Sequence, residues 1–245
     1  MDTVPASKPD LDEIYSRVAD RAIDFSAPIS PQIYTLLRKA IIENTIGPGT
    51  PIYESKFAEA LGVSRTPFRA ALQQLVNEDL VETRPQVGSV VTRIDGKKVF
   101  SAIFSRSAIE RAIVKRLAEL ETRQMDSLSH LLTLQAECTA RDDYVGFFEL
   151  DDAFHSRLAE MAGVPEAWRL VVLSKTHVDR ARLHLQSAIP GRAAMAYREH
   201  LSIIEAIRNG DGERAAALMD SHVGSVMDIL GDGRTGKGSI PAPGG

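Results

Sequence analysis

ALGVSRTPFRAALQQL, Ala60 to Leu75, is the stretch on which the fold turns. Gly62 is the usual left-handed cap residue and closes the short helical segment YESKFAEALG before it. Ser64 is a strong N-cap residue, and Pro67 is tolerated in a first turn, so a second helix opens at Ser64 and runs to about Asp79. On a helical wheel Phe68, Ala71, Leu72, Leu75 and Val76 share one side and must pack inward. Thr66, Ala70, Gln73 and Asn77 fall opposite, with Arg69 on the flank and Arg65 ahead of the first turn. That outer face is small or hydrogen-bonding, and along the helix it meets no acidic residue until Glu78. Arg65 and Arg69 offer bidentate donors to guanine or to phosphate, and free N–H groups at a helix start hold phosphate.

Working outward, Gln32–Asn44 carries Ile33, Leu36, Leu37, Ala40 and Ile41 on one helical face. IGPGTPI reads as a loop, and LVETRPQVGSVVTRI reads as two short strands around a turn containing Pro85 and Gly88. Helix, helix, tight turn, helix and hairpin is the order of a winged helix-turn-helix, a DNA-reading unit. On this pattern alone, a structural helical subdomain with a solvated polar face is an equal reading. Upstream, residues 1–10 are polar, and Leu11, Ile14, Tyr15, Val18, Ala22 and Phe25 mark a short amphipathic arm. Residues 1–29 are therefore expected to be a flexible or partly helical arm, and 30–95 the DNA-binding domain.

Bulk properties narrow the class. The 245 residues carry a net charge of −4, which excludes a bulk electrostatic grip on nucleic acid but permits a local one. Hydrophobic residues at 44% and few aromatics at 6% suit a mainly α protein. Cys138 is the single cysteine, so neither an intrachain disulfide nor a multi-cysteine zinc site is available. No apolar run spans a bilayer and no signal peptide is read, so a cytoplasmic location is expected.

The run LLRKAII, then GPGTPIYESKFAEALGVSRTPFRAALQQL, then LVETRPQVGSVV resembles the GntR family of bacterial transcription regulators over about residues 30–94. The resemblance implies that Ser64, Arg65, Thr66, Arg69 and the wing Gly88 contact DNA and that Arg38 meets a phosphate; Gln73 joins them on the outer helix face. Ser55 stands where many members carry Arg, and Asp79 where a Gly usually ends the recognition helix.

From residue 97 to 230 strand signals vanish. About six helical segments follow, with breaks near Met125, Asp142, Gly163–Pro165, Pro190–Gly191 and Gly210–Gly212, and 231–245 reads as a disordered tail. The expected architecture is a winged helix-turn-helix followed by an all-helical antiparallel bundle. Within the bundle, Phe148, Asp151, His155, Leu158 and Ala162 follow helical spacing, which stacks Asp151 and His155 i, i+4 on an inward face. His200 shares a stripe with Ile204 and Ile207, and His222 shares one with Met219 and Val226. A single inward histidine is ordinarily a hydrogen-bonded core residue. Three histidines with an aspartate favour a shared divalent transition metal, with Zn, Ni, Mn and Fe all open. His177 and His184 share a face as well and are read as solvated or hydrogen-bonded.

This half resembles the FCD ligand-binding domain of the FadR subfamily, nearer its shorter VanR-like branch. D-x-x-x-H matches Asp151/His155, E-H-x-x-I-x-x-A-I matches Glu199 to Ile207, and the final His matches His222. The resemblance implies that these four coordinate a metal and that a carboxylate effector completes the sphere. It also implies that Arg106 and Glu110 of SRSAIE lie at the ligand site; Arg157 and Arg182 are secondary pocket candidates, each read first as a solvated or ion-paired residue. The resulting expectation is a metabolite-responsive regulator, not an enzyme, that binds a palindromic operator as a homodimer. A metal-dependent enzyme acting on a small organic acid, and a regulator with a purely structural metal, are the alternatives.

Overall fold

The computed structural model describes residues 11–19, 23–120, 125–187 and 189–230. The expectations for residues 1–10, Ala22 and the tail 231–245 lie outside the described residues. The chain divides after Ile94 into two compact units.

The first unit runs α1 (Leu11–Ala19), α2 (Ile29–Ile42), β1 (Pro51–Ile52), α3 (Glu54–Ala60), α4 (Arg65–Asn77), β2 (Val81–Arg84) and β3 (Gly88–Val91). The helix expected at Gln32 starts three residues earlier and stops at Ile42, with Asn44 in the left-handed region at φ 61°. The tight turn between α3 and α4 rests on Gly62 at φ 65°. Ser64 takes the extended N-cap conformation, although its side chain makes no cap hydrogen bond. At the far end of α4, Asp79 adopts φ 57°, so it does the backbone work of a terminating glycine.

Phe68, Ala71, Leu72 and Leu75 are buried as the wheel requires, packed with Ile33, Leu37 and Ile41 of α2 and Phe57 of α3. The hairpin β2–β3 pairs Val81 with Val91 and Arg84 with Gly88. The loop expected over IGPGTPI contains β1, which pairs with β3 and makes a sheet of order β1-β3-β2. Two residues are too few to show alternation, and Pro51 is admitted because β1 is an edge strand.

The N-terminal arm is also more integrated than its sequence suggested. Ile14, Tyr15 and Val18 of α1 belong to the core of the first unit, and the Tyr15 ring meets the Phe57 ring edge-on at 4.3 Å. Phe25, expected on the apolar face of the arm, is 64% exposed, because α1 ends at Ala19 and Phe25 sits in a turn.

Among the described residues the second unit contains six helical segments: α5 (Gly96–Glu119); a 3₁₀ turn (Met125–Leu128) leading into α6 (Ser129–Ala140); α7 (Tyr144–Met161); a broken rod of α8 (Pro165–Ser174), α9 (Thr176–Ala181) and a π turn (Arg182–Gln186); α10 (Arg192–Arg208); and α11 (Gly212–Leu230). Asp95 and Asp143 cap α5 and α7 by accepting from the N–H groups of Lys97 and Gly146. Gly163, Gly191 and Gly210 each take φ 72° at the breaks. Helix α5 packs along α11, α11 against α10, and α6 against both α7 and α10. Among the described residues no helix is long and apolar enough to cross a membrane.

Because Tyr15 is buried against Phe57, Tyr15→Ala is expected to destabilise the first unit by about 3 kcal/mol. Urea unfolding of the full chain reads this as a lower midpoint for the transition of that unit, and an unchanged midpoint would show that α1 contributes nothing to the core.

Candidate metal centre and nucleic-acid interface

Ser64, Arg65, Thr66, Arg69 and Gln73 are all exposed along the start and outer face of α4. The extended Ser64 leaves the first-turn N–H groups of α4 pointing outward, where the partial positive charge of a helix start is strongest. Arg69, on the flank of α4, pairs with α3. Its Nε donates to Glu54 Oε2 of α3 at 2.7 Å. Gln73 donates to Asn77 Oδ1 at 3.2 Å, and Arg38 donates to Glu78 Oε2 at 3.0 Å, where the Tyr34 hydroxyl also bonds Glu78. Gly88 opens the wing strand at φ 91°.

In the second unit Asp151, His155, His200 and His222 converge from α7, α10 and α11, all buried, with one ligand atom of each within 4.8 Å of the others. His155 Nε2 lies 3.2 Å from His222 Nε2, and His200 Nε2 lies 3.3 Å from the same atom. Asp151 Oδ1 stands 3.3 Å from His200 Nε2 and 3.7 Å from His222 Nε2. A tetrahedral cation about 2.1 Å from each donor would set them roughly 3.4 Å apart, so the spacing fits.

The far side of each ligand explains which atoms face inward. His200 Nδ1 donates to Gln135 Oε1 of α6 at 2.9 Å, and His222 Nδ1 donates to Glu199 Oε2 at 2.7 Å. His155 Nδ1 contacts Glu110 Oε2 of α5, and Asp151 Oδ2 accepts from Arg182 at 2.7 Å. Protons on the Nδ1 atoms of His200 and His222 leave their Nε2 lone pairs directed at the centre, and Asp151 Oδ1 has no hydrogen-bond partner. That crowding of acceptors is unfavourable without a cation among them, and it is the fit a divalent metal requires.

Protonation agrees. Burial holds all three imidazoles below their ordinary value of 6.5, with His200 down to about 4. Burial pushes the Asp151 carboxyl up, but the Arg182 cation and His200 outweigh it and leave it well below the usual range. Burial likewise acts against Glu110, yet Arg106 and His155 bring it to about 2. The ligands are thus neutral imidazoles and an ionised carboxylate. Phe154 stacks on His200 at 4.0 Å and Trp168 on His155 at 5.9 Å, so apolar rings flank two of the imidazoles.

Comparison with known proteins matches both halves. The model of the bacterial regulatory proteins of the gntR family covers residues 29–91, and that of the FCD domain covers 102–225. The transcriptional repressor RspR of Escherichia coli K12 is 34% identical over 207 residues, covering 83% of this chain and 89% of that protein. The chain belongs to the GntR family.

An HTH-type transcriptional regulator in an unstable DNA locus of Streptomyces ambofaciens is 35% identical over 200 residues, covering 81% of this chain and 83% of that protein. A solved GntR transcriptional regulator from Rhodococcus sp. RHA1 superposes with a TM-score of 0.67 at 25% identity, over 82% of this chain and 97% of that one. The family consists of transcription regulators rather than enzymes, which sets aside the reading as a metal-dependent enzyme.

Within this GntR chain the site gathers more residues than its motifs announce. Arg106, Glu110 and Arg182 lie against the cluster, all buried, with Arg182 ion-paired to Asp151. Arg157 does not. It pairs with Glu160 at 2.7 Å with its side chain 41% exposed, because two residues beyond His155 the helix has turned away from the centre. His177 and His184 also lie outside the cluster. Gln135, Gln186 and Arg192 were missed, and Glu199 had appeared only as a motif letter. A small cavity of about 10 Å³, room for one water, is lined by Arg106, Arg182, Gln186, Arg192, His222 and Ser225.

Gln135→Ala removes the hydrogen bond that fixes the His200 tautomer, together with the one its amide donates to the Leu150 carbonyl, and is expected to lower metal affinity about 10–100-fold. Competition titration against a chromogenic chelator measures it, and wild-type affinity in the variant would deny Gln135 an orienting role. In the wild type, affinity should begin to fall at a lower pH than at a site of ordinary imidazoles, because burial holds all three histidines below 6.5 and less readily protonated.

Proposed function

We propose that the chain is a cytoplasmic, metabolite-responsive repressor that binds a palindromic operator as a homodimer. Its DNA affinity is set by a small carboxylate bound beside a divalent transition metal. The observation that carries this reading is the four-residue cluster with inward lone pairs, bordered by a cavity lined with buried arginines. Asp151, His155, His200 and His222 would hold the metal, and Zn, Ni, Mn and Fe all suit three imidazoles and a carboxylate. Bound there, the metal supplies a Lewis-acidic position for the effector carboxylate.

The protein's own groups do the rest. Arg106 and Arg182 draw an anion toward the cluster, while Glu110, Gln135 and Glu199 keep the imidazoles in the required tautomer. In the unit assigned to residues 30–95, Arg65 and Arg69 read base edges or phosphates, Ser64, Thr66 and Gln73 add neutral hydrogen bonds, and Arg38 and Gly88 hold the backbone of the duplex. The unit assigned to 97–230 senses the effector and pairs the protomers. That RspR is named a repressor supports the direction of control.

Selection from random duplexes, followed by fluorescence anisotropy with metal-loaded protein, tests the reading. A palindromic site is expected, with affinity changing about 5–150-fold when a suitable carboxylate is added. Arg65→Ala should weaken operator binding about 10-fold or more at fixed salt. If no carboxylate alters affinity and chelation simply unfolds the helical unit, the metal is structural and the sensing role falls.

A further inference from the structure

The cavity beside the cluster is bounded by donors that nothing satisfies. Arg106 Nη2, Arg192 Nε and Gln186 Nε2 are each buried without a hydrogen-bond partner, and the residues are 1%, 5% and 1% exposed. Leaving a buried donor unmet costs about 1–3 kcal/mol, more for a charged group, so three around one cavity are a demand for acceptors. Their neighbours hold them in place. The Tyr144 hydroxyl donates to Gln186 Oε1 at 2.5 Å, which fixes the amide and leaves its NH₂ free. Arg192 Nη2 donates to Ser225 Oγ at 2.7 Å, and its Nη1 lies 3.5 Å from Glu199. All three orphan atoms donate, whereas a ligand rich in hydroxyls would bring donors of its own.

Charge points the same way. The cavity arginines are matched one for one: Arg106 by Glu110, Arg182 by Asp151 and Arg192 by Glu199. With neutral imidazoles these three pairs balance, and a divalent metal at the cluster adds two positive charges that a dianion would cancel.

We infer that the effector is a small dicarboxylate, one carboxylate at the metal cluster and the second held by Arg192 and Gln186 at the other side of the cavity. This rests on the effector reading above and adds the ligand class and the second anchor. Space for one water cannot take such a ligand as it stands, so binding parts the cavity walls. Those walls are α5, α10, α11 and the π turn, which supplies both Arg182 and Gln186. Ligand binding is thereby tied to a change of helix packing.

Calorimetry on the metal-loaded full chain decides it, with succinate and malonate against butyrate and propionate, and gluconate as the polyhydroxy monocarboxylate. The dicarboxylates are expected to bind at least about 10-fold tighter than their monocarboxylate counterparts, as a charge-assisted hydrogen bond implies. In Arg192→Gln, and separately in Gln186→Leu, that ratio should fall toward one, with metal content measured in parallel. Equal binding of mono- and dicarboxylates, preference for gluconate, or a ratio unmoved in both variants overturns the second anchor and leaves the effector reading standing. No binding of any carboxylate to fully loaded protein overturns the effector reading itself.

Discussion

The second unit is organised around one constraint: an ionised aspartate and three imidazoles are buried where helices α7, α10 and α11 meet. An uncompensated charge there would cost several kcal/mol, and breaking a buried pair typically costs 3–5 kcal/mol. The helices around the centre each answer that demand. Helix α5 brings Glu110 to His155, α6 brings Gln135 to His200, α10 brings Glu199 to His222, and the π turn brings Arg182 to Asp151. Packing and polar satisfaction are thus one problem, and a shift of one helix disturbs the partners of another.

The π turn is the least regular part of this arrangement. It follows Ala181 and gives both Arg182 and Gln186 to the same cavity, from a short wider-wound stretch where a helical rod would otherwise continue. Such turns are costly in isolation and recur at functional sites. Here its side chains are held by Asp151 and Tyr144, contacts that connect the ligand cluster to the wall of the cavity.

The first unit shows how a chain of net charge −4 presents cationic groups to DNA. Arg69 is paired with Glu54, and Arg38 with Glu78, in contacts that are partly exposed. Exposed pairs of this kind are worth little, so a phosphate can take either arginine at small cost while the acidic partner keeps it in place beforehand. Arg65, the first residue of α4, stands exposed at the helix start.

Periodicity made the elements legible. The spacing of Phe68, Ala71, Leu72 and Leu75, the glycines at helix ends and the i, i+4 pair Asp151/His155 all depend on local geometry, and the structure keeps them. Strand β1 was not legible because two residues carry no pattern, and α1 was read as an arm because nothing local says what its apolar face covers. The second ring of the site was hidden for a deeper reason. Gln135 is an ordinary helical glutamine until α6 is laid against α10, and Arg157 and Arg192 look alike until one faces solvent and the other a cavity. By itself, then, the sequence determined the order of the helices, the outer face of α4 and the four inward polar residues, because these are properties of a single helix. Which groups orient those ligands, which arginines line the cavity and which donors stay unmet were decided only by tertiary packing, because each depends on two or more helices meeting.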